Sequence, residues 1–166
     1  MHLRSSPITR RTHIARLFAT AGGVGYSPWA PGTAGTIVAI PIAAVTAPLT
    51  APLFFAVCAA VAAVGIWAAA EADRSWGTHD ASAIVIDEVA GYLVAVALVS
   101  RDSLTALLAA FVLFRALDIL KPPPIRWIDR TIGGGTGVVL DDIAAGVYAA
   151  MILYVLDRQG WLALLP

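Results

Sequence analysis

No charged side chain occurs from Leu17 to Ala70, from Val89 to Ser100, from Ser103 to Phe114 or from Ile143 to Leu156. Blocks of this kind must be enclosed by protein or by lipid, because water gives their apolar atoms no compensation. Only 13% of the 166 residues are charged, against roughly 25% in soluble domains. So few polar side chains cannot clothe a compact globule, which excludes disorder and makes a membrane the leading solvent.

The charges balance at eleven of each sign, with ten Arg and one Lys, so no basic excess points to nucleic acid and none is expected as a partner. Cys58 is the single cysteine and sits in an apolar run. An intrachain disulfide and a cysteine-clustered metal site are therefore excluded, and Cys58 is read as packing. Arg4, Arg10, Arg11 and Arg16 crowd the start of the chain. Only about five apolar residues follow them before Gly22-Gly23, fewer than the roughly 7–15 of a cleavable signal, so none is expected.

The first uncharged block is interrupted by Pro28, Pro31, Pro41, Pro48 and Pro52, which break helices. It divides into a short segment at 33–45 and a long helix at 52–76, whose about twenty apolar residues match a bilayer core of about 30 Å. Segments 84–100, 103–120 and 140–156 reach spanning length only when charged turns are counted. These turns carry Asp87-Glu88, Arg115 with Asp118, and Asp141-Asp142, and all three are expected at one membrane edge. Trp67, Trp76, Trp127 and Trp161 are read as interface belts. Ile14, Leu17, Phe18 and Ala21 repeat at helical spacing among arginines, which predicts a basic amphipathic helix on the cytoplasmic interface. The expected fold is all-α: a compact bundle of about five to six helices, several membrane-embedded. Residues 1–21 are expected to be a basic amphipathic N-terminal segment carrying this interfacial helix, and 22–166 a single helical domain.

Val85-Ile86-Asp87-Glu88-Val89-Ala90-Gly91 has an echo in Val139-Leu140-Asp141-Asp142-Ile143-Ala144-Ala145-Gly146. In each, a glycine about one turn after an acid would let another helix approach closely beside that acid. Ionisable residues at apolar helix ends are functional candidates by default. A structural alternative stands beside that reading, in which these acids favour helix N-termini or pair with Arg115, Arg126 and Arg130. Oxygen donors without a cysteine cluster suit a hard cation, Mg²⁺ before Zn²⁺. Helical neighbours point about 100° apart, so one acid of each pair is expected to bind an ion and its neighbour to act otherwise.

Arg115 and Asp118 share a helix face at i, i+3, and Lys121 follows one turn later. Arg115 and Lys121 suit phosphate, one as a fork and the other as a point charge; the alternative is anchoring of a helix C-terminus. Gly133-Gly134-Gly135-Thr136-Gly137 is read as a connector before presentation of backbone donors to phosphate. Residues 30–36 lack the Gly-Lys-Thr ending of a P-loop. His79 and Asp80 are candidates for proton transfer, with a plain polar loop as the alternative. Asp129 and Arg130 are read as a surface pair.

Three blocks of the chain resemble the phosphatidylglycerophosphatase A family of bacterial membrane lipid phosphatases. They are Gly23-Val24-Gly25-Tyr26-Ser27-Pro28-Trp29-Ala30-Pro31-Gly32-Thr33-Ala34-Gly35-Thr36, then Ile86-Asp87-Glu88-Val89-Ala90-Gly91, then Phe114-Arg115-Ala116-Leu117-Asp118-Ile119-Leu120-Lys121-Pro122 continuing to Asp141-Asp142-Ile143-Ala144-Ala145-Gly146. The resemblance implies an all-α fold and Mg²⁺-dependent removal of the terminal phosphate from phosphatidylglycerophosphate, at the cytoplasmic face of the inner membrane. It implies Asp87, Glu88, Asp118 and Asp142 as catalytic, and Asp87, Glu88, Asp141 and Asp142 as metal ligands. Substrate would meet Arg115, Lys121, Gly32, Thr33 and Thr36, and a second copy of the chain is a candidate partner.

Other phosphatase chemistries lack their residues here. Val64 stands where a cysteine phosphatase built on Cys58 needs arginine, Lys121 does not open a Lys-x6-Arg-Pro pattern, and no Asp-x-Asp-x-Thr occurs. Metal-activated water is the chemistry left. A small polytopic transporter and a non-catalytic soluble helical protein of the same fold are the readings from other classes.

Overall fold

A computed structural model describes residues 9–164, and among them every regular element is helical. The order is α1 (Arg10–Ala19), a 3₁₀ turn (Val24–Tyr26), α2 (Pro31–Val45), α3 (Ala51–Trp76), α4 (Ile86–Ala95), α5 (Leu104–Leu120), α6 (Ile125–Thr131), α7 (Gly134–Arg158) and a 3₁₀ turn (Trp161–Leu164). The all-α expectation holds, with seven α-helices where about five to six were expected.

Proline and glycine set the ends of α3. Pro52 occupies its first turn, where no N–H is needed, and Gly77 closes it at φ 69°. Pro41 does not break α2 as expected. It lies inside α2 on the exposed side, and the helix continues to Val45, the end of the expected segment 33–45.

The largest correction concerns segment 84–100. Its helix, α4, has ten residues and is about 15 Å long, too short to cross a bilayer. Ile86, Asp87, Val89, Ala90, Gly91, Tyr92, Leu93 and Ala95 are all buried, and α2, α3, α5 and α7 pack around it. The run is apolar because protein encloses it. Among the described residues, only α3 and α7 are long and apolar enough to cross a membrane.

Glycine sets how closely α4 meets α7. A methyl group at Gly91 would collide with the Asp142 carbonyl and the Phe114 ring, and one at Gly146 with the Gly91 carbonyl. The glycines of the sequence echo therefore face each other's helices beside the acids, as that echo suggested. The run at 133–137 departs from expectation: from Gly134 onward it is the first turn of α7. Gly135 has no room for a side chain against Ile66 and Ala70 of α3, so this run serves helix packing.

Leu53 and Phe55 on α3, Leu108 and Val112 on α5, and Met151 and Val155 on α7 all point outward. In the apolar window of α3 only 28% is buried, against 50% in α7, so α3 turns more of its apolar surface to the surroundings. Helix α1 packs on α3 through Thr12, Ala15 and Ala19, while Ile14, Leu17 and Phe18 stay exposed. Arg16 donates to Ser75 Oγ at 2.9 Å and lies over the Trp76 ring. Residues 1–8 of the expected interfacial segment, including Arg4, lie outside the described residues. Trp67 and Trp76 pack against the core instead of standing free as a belt, whereas Trp127 and Trp161 are exposed.

Candidate active site

The three charged helix ends meet at one end of the bundle, around a cavity of about 390 Å³. Helix α2 contributes its start at Gly32, the α3–α4 loop Asp80, and α4 Asp87 and Glu88. From α5 come Arg115, Asp118 and Lys121, and from α7 Asp141 and Asp142. All the acids and bases singled out at the helix ends thus line one space, although 54 residues separate Asp87 from Asp141.

Asp87, Glu88 and Asp142 each present a carboxylate oxygen within 4.8 Å of the others. Neighbouring acids were expected to diverge, and Asp87 and Glu88 converge. They sit in the open first turn of α4, and Glu88 passes beneath Gly32, where a methyl group would collide with Glu88 Oε1. Asp141 and Asp142 do diverge, because α7 is continuous there. Asp142 joins the acid cluster, while Asp141 Oδ2 accepts from Lys121 Nζ at 2.6 Å.

Each cation is shared between acids. Arg115 Nη1 lies 2.6 Å from Asp118 Oδ2 and 3.7 Å from Glu88 Oε1, as the i, i+3 spacing anticipates for Asp118. Lys121 caps α5 with φ 44° and donates to Asp129 Oδ1 at 2.5 Å as well as to Asp141. Asp129 was read as a surface partner of Arg130; its recorded ion pair is with Lys121.

Among the described residues, four buried carboxylate oxygens have no hydrogen-bond partner: Asp87 Oδ1, Glu88 Oε2, Asp141 Oδ1 and Asp142 Oδ2. Unpaired buried carboxylate oxygens are costly, and their convergence fits a hard, oxygen-bound cation. Burial raises the Asp87 carboxyl well above its ordinary value, and the charges of Glu88 and Asp142 add to the rise. Burial raises Glu88 too, opposed by the Arg115 charge. Burial disfavours the Lys121 charge, yet its hydrogen bonds to Asp129 and Asp141 outweigh this and hold the ammonium above its usual range. Asp80, at the exposed mouth of the cavity, is raised by partial desolvation, with Lys121 acting against the rise.

The family model for phosphatidylglycerophosphatase A matches residues 17–157. The chain belongs to the phosphatidylglycerophosphatase A family. It is 37% identical over 149 residues to phosphatidylglycerophosphatase A of Escherichia coli (strain K12), covering 90% of this chain and 87% of that protein. Identity to the Haemophilus influenzae protein of the same name is 34%, over 88% of this chain and 89% of that one. A Bacteroides thetaiotaomicron protein named putative phosphatidylinositol-3-phosphatase is 37% identical, over 88% of this chain and 95% of its own length. No solved structure matches the chain. Family membership makes the chain a phosphatase, and with two apolar helices of spanning length it supports membrane association.

The matched region contains every residue lining the cavity, and the expected substrate contacts separate within it. Gly32 lines the cavity, but Thr33 and Thr36 do not. Thr36 is fully buried and its hydroxyl donates to the Gly32 carbonyl at 2.9 Å, so it braces the turn that Gly32 presents. His79 Nε2 accepts from the Gly134 N–H at 3.3 Å, tying the α3–α4 loop to α7. Asp73 escaped sequence reasoning. It is buried near the end of α3 and accepts from the Asp80 and Ala81 N–H groups. Its signal, an acid inside the last turns of an apolar helix, was present but pointed to no partner.

Proposed function

We propose that the protein hydrolyses the terminal phosphate of phosphatidylglycerophosphate in a Mg²⁺-dependent reaction, leaving phosphatidylglycerol, as a step of phospholipid biosynthesis. The cavity would face the cytoplasm at the inner membrane. One observation carries the reading: a buried three-carboxylate cluster stands beside two cations in one cavity, within a bundle whose outer helices are apolar. The cavity has six carboxylates against two cations, a formal charge of −4. A doubly charged phosphate meets net repulsion there unless bound cations offset the acids.

Asp87, Glu88 and Asp142 would hold Mg²⁺, with Asp141 Oδ1 a further buried oxygen nearby. When bound, such an ion neutralises phosphoryl oxygens and makes water a stronger nucleophile. Arg115 exchanges carboxylate contacts for phosphoryl oxygens and stabilises the charge that develops there; Asp118 orients its guanidinium. Lys121 supplies a second, point-like positive charge, pulled toward the floor by Asp141. The first turn of α2 leaves backbone N–H groups without helical partners, and Thr36 steadies that turn. Water supplies the new oxygen, the bond from phosphorus to the headgroup ester oxygen breaks, and that oxygen leaves as the headgroup alcohol.

Phosphate release from phosphatidylglycerophosphate in mixed micelles, with Mg²⁺ and after chelation, tests the reading. Release that stops on chelation and returns with Mg²⁺ is the expected result; unchanged release would remove the metal. The name of the Bacteroides thetaiotaomicron relative raises a second substrate, phosphatidylinositol 3-phosphate. Faster release from that lipid would reassign the headgroup.

A further inference from the structure

Five of the six carboxylates around the cavity are accounted for. Asp87, Glu88 and Asp142 converge, Asp118 holds Arg115, and Asp141 holds Lys121. Asp80 is the sixth. Its carboxylate makes no hydrogen bond or ion pair among the described residues, yet it lines the same cavity.

The backbone at Asp80 is specified from outside. It adopts φ 56°, in the left-handed region that a residue with a Cβ rarely occupies. Buried Asp73 enforces this: Oδ2 accepts from the Asp80 N–H at 2.7 Å, while Oδ1 accepts from the Ala81 N–H and the Thr78 hydroxyl, each at 3.1 Å. Three residues earlier, where α3 needs only a left-handed cap, the chain uses Gly77. Aspartate tolerates this region better than most residues with a Cβ. The buried Asp73 anchor thus fixes where the Asp80 side chain leaves the loop.

That position is the rim. Asp87, Asp141 and Asp142 are 8%, 5% and 3% exposed and form the floor of the cavity, whereas Asp80 is open to solvent. A phosphate gripped at the floor sends the rest of its lipid out past the rim. The first group beyond the ester oxygen is the headgroup. Carboxyl oxygens there repel anions and accept from donors, and the donor on a phosphoglycerol headgroup is its hydroxyl.

We propose that Asp80 is a specificity-determining residue that accepts a hydrogen bond from a headgroup hydroxyl of the lipid phosphomonoester. The proposal rests on the phosphatase reading above. Its ligand class is a phosphorylated polyol headgroup, and its selection is against lipid phosphates without a hydroxyl beside the ester.

The test uses the full-length protein in detergent mixed micelles with Mg²⁺. kcat/KM is measured for phosphatidylglycerophosphate and for an analogue whose headgroup is 1,3-propanediol phosphate, which lacks the hydroxyl. Wild type is expected to prefer the hydroxylated lipid by about ten- to a hundredfold, the range of one hydrogen bond to a charged group. Asp80→Gly should bring that ratio close to one, with most of the change in KM, and should melt no lower than wild type because glycine relieves the φ 56° conformation. Asp80→Asn tolerates the same backbone and keeps an acceptor oxygen, so it should retain part of the ratio. A wild type without preference, or an Asp80→Gly variant with the wild-type ratio, overturns the proposal. A wild type that releases phosphate from neither lipid overturns the underlying phosphatase reading instead, and this proposal with it.

Discussion

Two partly buried arginines stand in different surroundings. Arg115 shares its charge between two carboxylates, Asp118 and Glu88, in the acidic cavity. Arg101 follows α4 and has no carboxylate partner among the described residues. Its guanidinium donates to the carbonyls of Thr46 and Leu49, at 3.3 and 3.0 Å, and lies 3.9 Å over the Phe54 ring. Neutral carbonyls and an aromatic face tie the α2–α3 turn to the region after α4. Carboxylates can instead be exchanged for another anion. A charge whose contacts are neutral groups reads as structure, and one held by exchangeable anions reads as a binding site; Nε has no partner among the described residues in either side chain.

The largest expected effect comes from the acids that give the Arg115 end its character. Asp87→Asn or Asp142→Asn should lower phosphate release on the order of a thousandfold while the unfolding midpoint without divalent cation rises, since one of the mutually repelling acids is gone. Full activity in folded Asp87→Asn protein would remove Asp87 from the scheme. Next, Arg115→Lys should lower kcat/KM by about a hundredfold with little change in melting temperature, because lysine keeps the charge and loses the fork. Arg101→Ala should reverse that pattern, costing about 2–3 kcal/mol of stability and leaving the kcat/KM of folded protein near wild type. If the two variants behave alike, the contrast between the two environments fails.

Gly91→Ala probes the contact that sets Asp142 beside Asp87. Its methyl group meets backbone and a buried ring, so a loss of about 1–3 kcal/mol in denaturant unfolding is expected. Wild-type stability would mean that α4 and α7 can separate freely.

The smallest effect is the pH dependence. The Asp87 carboxyl is raised in the folded protein, so its stabilising contribution is complete below the unfolded value of about 4 and is lost as pH rises through the raised value. Without divalent cation the melting temperature should therefore fall with rising pH, and Mg²⁺ should reduce the fall. A melting temperature that is flat with pH would show that Asp87 does not titrate in this way.

Much of the fold was legible because its signals are local. Helix α3 begins one residue before the expected position and ends where expected, since Pro52 and Gly77 act within a turn of their own positions. The acids and bases of the site stood out because charge is rare in apolar helices. The short α4 was misjudged as membrane-embedded because an apolar run reads the same whether protein or lipid surrounds it. The joint approach of Asp87 and Glu88 was misjudged because the ideal 100° separation ignores the space that Gly32 leaves. Asp80 stands out in the sequence with His79 as a candidate for proton transfer; its place at the rim depends on Asp73, which acts across seven residues through the backbone.

By itself the sequence determined that the chain is helical, that it is apolar outside, and that its chemistry sits where charges interrupt uncharged blocks. These follow from periodicity, composition and residue type, which need no knowledge of neighbours in space. Tertiary structure alone decided which acids share one point, which acid each cation holds, and that Asp80 stands at the rim. Those outcomes depend on contacts among helices up to dozens of residues apart, and on glycines whose missing side chains matter only once another helix lies against them.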